Sequence, residues 1–131
     1  MKIIFPLKSG SLHKRDRLRS QKIIETLFHS KHYFIIYPFR IYWSKETSNN
    51  PSLQMAVSVP KKLQKKAVNR NLMKRRIREA YRRKKTHLMD SLVQSQHTLR
   101  IFLVYTTENR LTYHDIEKKI ELIIEKLENK K

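Results

Sequence analysis

Lys61-Lys62-Leu63-Gln64-Lys65-Lys66-Ala67-Val68-Asn69-Arg70-Asn71-Leu72-Met73-Lys74-Arg75-Arg76-Ile77-Arg78-Glu79-Ala80-Tyr81-Arg82-Arg83-Lys84-Lys85 carries 13 Lys/Arg against one Glu, with no Gly or Pro inside it. Helix formers run unbroken from Lys66 to Lys85, so the stretch reads as a long basic helix entered through a basic loop. At about 100° per residue, Asn71, Lys74, Arg75, Arg78, Arg82 and Lys85 fall within an arc of roughly 100°. Met73, Ile77 and Ala80 lie on the opposite side as an apolar footing. Val68 and Leu72 occupy a third side, and Arg76 and Arg83 carry charge onto the flanks. Cations crowded on one arc repel each other, and a polyanion lying along them relieves that repulsion. A solvated basic face is the bland alternative; the density and helical clustering of charge favour nucleic acid.

The rest of the chain sharpens this. Its 131 residues suit one domain, and the net charge is +19. Residues 1–60 hold a surplus of 7 positive charges, residues 61–85 one of 12, and residues 86–131 none. Charge is placed on one part of the fold, which points to a phosphate-rich partner. With no Cys there is no disulfide framework, thiolate nucleophile or Cys-ligated zinc. The only Gly is Gly10, which excludes a Gly-rich phosphate loop. The six His residues (His13, His29, His32, His87, His97, His114) are scattered without ligand spacing. Outside the last helix and its approach the acidic residues are Asp16, Glu25, Glu46, Glu79, Asp90 and Glu108, with no close D-x-D or E-x-x-H grouping. A nuclease centre needs metal-binding carboxylates or a His pair, and the chain reads as one that binds without cutting. The opening apolar run is short and broken by Pro6, and no run is long enough to span a membrane. A soluble, cytoplasmic location is the expectation.

In order, residues 1–18 read as a flexible basic arm, either a solubilising tail or a second RNA contact through Lys14 and Arg15. Residues 19–131 read as one RNA-binding domain. Ser20 can cap a short helix whose Ile23, Ile24, Leu27 and Phe28 follow the spacing of one buried face. An extended piece precedes Pro38, and a firmer strand runs from Phe39 to Ser44, with Phe39, Ile41 and Trp43 on one face and Arg40 and Tyr42 on the other. Leu53 to Val59 alternates as a strand, with Gln54, Ala56 and Ser58 facing outward. Thr86 to Thr98 is polar and gives no clear pattern. Leu99 to Thr106 is a near-continuous apolar run suited to a central strand. Thr112 to Lys130 is an amphipathic, near-neutral helix for packing. The order αβββαβα suggests an α+β two-layer sandwich with one mixed sheet.

Ala67 to Arg82, Ala-Val-Asn-Arg-Asn-Leu-Met-Lys-Arg-Arg-Ile-Arg-Glu-Ala-Tyr-Arg, resembles the signature A-V-x-R-N-R-x-K-R-R-x-R-E of the protein subunit of bacterial ribonuclease P. Ser58-Val59-Pro60-Lys61-Lys62 resembles the S-V-S-K-K that ends the family's third strand. The Lys14-Arg15 arm, the Leu27-Phe28 helix end and the closing strand and helix fall where the family has them, so the likeness covers nearly the whole chain. Two positions depart from the pattern. Leu72 replaces the second Arg of R-N-R, with Lys74 or Arg75 beside it to compensate. Gln64 stands where Gly is usual, so the loop must turn without positive φ.

The resemblance implies that a partner RNA carries out Mg²⁺-dependent hydrolysis removing the 5′ leader of precursor tRNA. The protein docks on that RNA and holds the leader; no metal is expected on the protein itself, and no obligate protein partner or membrane. Arg70, Asn71, Lys74, Arg75 and Arg78, with Lys61 and Lys62, would contact the RNA, and Lys65, Arg76 and Arg82 complete the candidate set. In the family the leader lies in a cleft between the sheet and the long helix. Tyr33, Phe34, Phe39 and Tyr42 are the candidates to line it, Phe39 being equally a core candidate, while Ile23 occupies the family's aromatic position in the first helix. The resemblance also implies a left-handed βαβ crossover. The rival readings are a small ribosomal-type RNA-binding protein and a DNA-binding module, the latter without a helix-turn-helix or zipper to support it.

Overall fold

The computed structural model of the chain describes residues 17–130. Its elements are α1 (Gln21–Phe28), β1 (Tyr33–Ile36), β2 (Phe39–Thr47), β3 (Ser52–Ser58), α2 (Ala67–Lys84), α3 (Thr86–Ser95), β4 (His97–Tyr105) and α4 (Tyr113–Glu128). The strands form one mixed sheet in the order β1-β2-β4-β3. β1 with β2 and β2 with β4 are antiparallel, and β3 runs parallel to β4. Parallel neighbours cannot be joined by a hairpin, and the connection from β3 to β4 is the basic helix α2 followed by α3.

Local chemistry sets the helix ends. Ser20 caps α1 by accepting from the Ile23 N–H at 3.3 Å, and Thr112 caps α4 by accepting from the Asp115 N–H at 3.2 Å. Lys66 begins α2 with no side-chain cap. Arg82, Arg83 and Lys84 in its last turn complement the negative end of the helix dipole.

Each sheet face has its own cover. Phe39, Ile41, Leu53, Met55, Leu99, Ile101, Leu103 and Tyr105 build the main core with Met73, Ile77 and Ala80 of α2, Leu88 and Leu92 of α3, and the Ile/Leu ridge of α4. The footing expected for α2 is therefore what anchors it. On the opposite face a smaller cluster joins Leu18, Leu27, Tyr42 and Phe102, with Ile23 and Ile24 of α1 packed against it. That face is only partly covered.

Several boundaries differ from the sequence reading. The polar stretch from Thr86 holds a whole helix, α3, which buries Leu88 and Leu92. β2 continues past Ser44 to Thr47, and β4 begins at His97, because the two strands stay paired out to Thr47 and His97. Arg17 and Leu18, assigned to the arm, belong to the folded domain. Arg17 bridges Met55 in parallel, the Leu18 N–H donates to the Met55 carbonyl at 3.0 Å, and the Leu18 side chain is buried. Lys14 and Arg15 lie outside the described residues.

Candidate nucleic-acid interface

Helix α2 sorts its cations into two kinds. Arg70 donates to the carbonyls of Gln64 at 3.1 Å and Lys65 at 2.9 Å, folding the entry loop back onto the helix start. Arg76 donates to the Leu111 carbonyl at 2.7 Å and ties α2 to the approach of α4. Arg82 grips both carboxylate oxygens of Glu79, at 3.0 and 2.7 Å, and Arg83 takes the second oxygen at 3.0 Å. These guanidiniums hold the fold, which leaves them less able to turn toward a ligand.

The second kind faces solvent. Lys61, Lys62, Lys65, Asn71 and Arg75 are exposed, and Lys74 and Arg78 are partly so. None of these six cations pairs with a carboxylate among the described residues. Arg78 is the most confined. Burial lowers its pKa and the positive charge of Arg17 lowers it further, while the buried Arg17 Nε has no hydrogen-bond partner. Two guanidiniums brought together in this way favour an anion between them.

The half-open sheet face supplies a second surface. Tyr42 is paired with Tyr33 on one side and Phe102 on the other, and all three point away from the main core. Phe28 leans over this row, its ring 5.3 Å from Tyr42 and 6.4 Å from Phe102. Arg40 sits 5.3 Å over the Tyr33 ring and donates to the Tyr42 hydroxyl at 3.4 Å. Phe28 and Tyr33 are 49% and 45% exposed, whereas Tyr42 is 4%. The result is a rising set of aromatic rings with a cation at its edge, suited to unstacked bases.

Two of the four aromatic candidates are elsewhere. Phe39 is 0% exposed in the main core and packs edge-on to Tyr105 at 5.7 Å, so it has no face to offer a base. Phe34 is buried on the same core side, with Lys126 and Lys130 at 5.0 and 5.2 Å over its ring. Tyr33 and Tyr42 do share the outer face. Phe28, Phe102 and Arg17 are the additions. Phe28 was expected within a buried helical face, yet as the last residue of α1 it sits half out over Tyr42. The outward alternation of Tyr42 was the available signal, since a ring above it must share its face.

Among the described residues no three His, Asp or Glu side chains gather as a metal site requires, and no helix is long and apolar enough to cross a membrane.

Comparison with known proteins points one way. The profile of the family described as Ribonuclease P matches residues 12–128. The Ribonuclease P protein component of Porphyromonas gingivalis is 32% identical over 111 residues, covering 84% of this chain and 81% of that protein. That of Chlorobium phaeobacteroides is 35% identical over 86 residues, covering 63% of this chain and 59% of that protein. The solved Staphylococcus aureus RNase P protein superposes with a TM-score of 0.65 at 22% identity, covering 87% of this chain and 96% of that one.

Proposed function

Because the chain belongs to the Ribonuclease P family, we propose that it is the protein subunit of a ribonucleoprotein that removes the 5′ leader of precursor tRNA, with the RNA subunit supplying the Mg²⁺-dependent chemistry. The observation that carries the proposal is the pairing of two surfaces. Six cations that pair with no carboxylate among the described residues lie along α2 and its entry loop, and a row of partly open rings lies on the half-open sheet face.

In this reading Lys61, Lys62, Lys65, Lys74, Arg75 and Arg78 take RNA phosphates, joined by Arg17. Asn71 contributes hydrogen bonds from the same arc. Arg70, Arg76 and Arg82 act chiefly by holding the loop, the α4 approach and Glu79. Unstacked leader nucleotides lie on the exposed rings of Phe28 and Tyr33, with the buried Tyr42 supporting both from beneath and Arg40 at the edge. The protein acts by charge and placement: neutralising repulsion between leader and catalytic RNA lowers the Mg²⁺ needed, and contacts to the leader favour precursor over product.

The test is cleavage of a 5′-extended precursor tRNA at low Mg²⁺ by a bacterial ribonuclease P RNA, with and without the protein, and with the protein alone. Stimulation only when both are present supports the proposal. No stimulation with a matched RNA overturns it in favour of a ribosomal-type RNA-binding protein, and cutting by protein alone overturns the assignment of chemistry to the RNA.

A further inference from the structure

α4 is near neutral over its length, yet its second half parts its charges. Glu121, Glu125 and Glu128 line one flank with Lys84 and His87, and Glu121 and Glu128 pair with those two. Lys126 and Lys130, a turn apart, lie on the other flank, where the helix meets β1. Their ammoniums stand 5.0 and 5.2 Å over the Phe34 ring, and Lys130 is also 5.6 Å over Trp43. Lys45 joins them from β2, its ammonium donating to the Lys130 carbonyl at 2.9 Å. His32 stacks on Trp43 at 5.3 Å.

None of these three ammoniums meets a carboxylate among the described residues. Cations at a helix C-terminus offset its dipole, but that end carries only about half a negative charge. Three ammoniums exceed it. The rings attract the cations without accepting their hydrogen bonds, and like charges a turn apart repel. The cluster therefore has charge and N–H donors to spare, which a run of phosphates would satisfy.

Its place in the fold says which phosphates. β1 is an edge strand, with β2 as its only partner strand among the described residues. Tyr33 faces outward in the row of rings, and the next residue, Phe34, faces the core beneath Lys126 and Lys130. A nucleotide strand leaving the rings at Tyr33 has only the width of one β-strand to cross, about 4.8 Å, before it reaches the ammoniums.

We propose that the 5′ leader, beyond the nucleotides stacked on Phe28 and Tyr33, crosses the β1 edge and lays its distal phosphates on Lys45, Lys126 and Lys130. The inference rests on the leader-binding reading above and extends it to the opposite side of the sheet, away from α1. Phe34 and Trp43 hold the ammoniums in place, and the buried Phe34 offers no face to a base. Recognition is by charge, so this site reads the length of the leader and not its sequence.

The experiment measures binding of precursor tRNA to the holoenzyme, with a leader of about 5 nucleotides and with one of about 15, across a salt series. The longer leader is expected to bind about threefold to tenfold more tightly. Lys126→Gln combined with Lys130→Gln is expected to cancel that gain and to leave the short-leader precursor, mature tRNA and the catalytic RNA bound as before. Each single-strand phosphate contact adds about 0.7 to the salt slope, so the double variant is expected to lower the slope by about 1.4 for the long leader alone. Trp43, the chain's only tryptophan, is expected to change its emission with the long leader and not with the short one. Should the α4 variant fail to fold, Lys45→Gln on β2 repeats the test. A length gain that survives in a folded variant, no gain in the unaltered holoenzyme, or a Trp43 emission indifferent to leader length overturns the proposal. So does an equal loss for both leaders or for the catalytic RNA, which would put a different RNA segment on these lysines. Failure of the broader reading is distinct, because even the short-leader precursor would then bind no better than mature tRNA.

Discussion

Burial lowers the pKa of Arg78 on α2 and the positive charge of Arg17, on the segment bridged to β3, lowers it further, while the Arg17 Nε is buried with no hydrogen-bond partner. An anion there would relieve both the repulsion and the unmet hydrogen bond, which is why the proposed function counts this pair among the RNA contacts. Lys74→Ala combined with Arg78→Ala is expected to reduce the slope of log affinity against log salt by about 1.5–2. Filter binding of precursor tRNA and ribonuclease P RNA across a salt series measures it. A slope equal to that of the unaltered protein would remove these cations from the interface.

The ring of Phe28 lies half exposed over Tyr42 on the outer sheet surface. Phe28→Ala is expected to weaken precursor tRNA about fivefold to tenfold in the holoenzyme while leaving mature tRNA unaffected, the lower end of the range of about 1–3 kcal/mol per base for stacking, because only half of the ring is exposed. Equal losses for both substrates would place Phe28 away from the leader. Phe39→Leu serves as the contrast, because its cost belongs to thermal stability and not to substrate choice.

Tyr105 has a structural part that its burial makes testable. Its hydroxyl donates to the Asn109 carbonyl at 2.5 Å and accepts from the Leu111 N–H at 3.2 Å, closing the turn that leads to α4. Tyr105→Phe strands both groups and is expected to cost about 1–3 kcal/mol in urea unfolding. Leu111 also offers its carbonyl to Arg76, so the loosened turn is expected to free that guanidinium as well.

His87 couples the fold weakly to pH. Its hydrogen bond to Glu128 and that carboxylate's charge raise its pKa above the ordinary 6.5. A raised folded-state pKa adds stability that is complete below the unfolded value and disappears as pH rises through the folded one. Comparing melting temperatures, His87→Gln is expected to fall slightly below the unaltered protein at pH 5.5 and to converge with it at pH 8.5. A gap that widened toward alkaline pH would refute the linkage.

The sequence carried some of this plainly and some not at all. Unbroken helix formers marked α2, and strict alternation separated Phe39 and Ile41 from Arg40 and Tyr42, as the buried core and the outer row bear out. Alternation says which residues share a face but not which face is covered, and that is why Phe39 and Phe34 stood beside Tyr33 and Tyr42 as candidates. Leu88, Met89, Leu92 and Val93 do have helical spacing, yet only Lys85 separates α3 from α2, so no Gly or Pro announced a new element. The loop before α2 turns without Gly, as expected from Gln64. Among the described residues only Gln96 is a non-glycine with positive φ, while the buried Gln64 amide donates to the Glu108 carbonyl at 2.7 Å. Which cations would be consumed by carbonyls and by Glu79 depended on tertiary neighbours, and no pattern along α2 revealed it.

The strand order gives the protein a timetable. During synthesis β1 and β2 can pair as soon as both have emerged, but β3 must wait for β4, its only partner strand among the described residues. α2 leaves the ribosome in between, and the helix on which it chiefly rests, α4, comes last. A nascent chain that ends before Thr112 thus carries nearly all of its positive charge without the helix on which α2 chiefly rests. The finished basic surface exists only once the near-neutral end of the chain has been made, which keeps its assembly from running ahead of the fold beneath it.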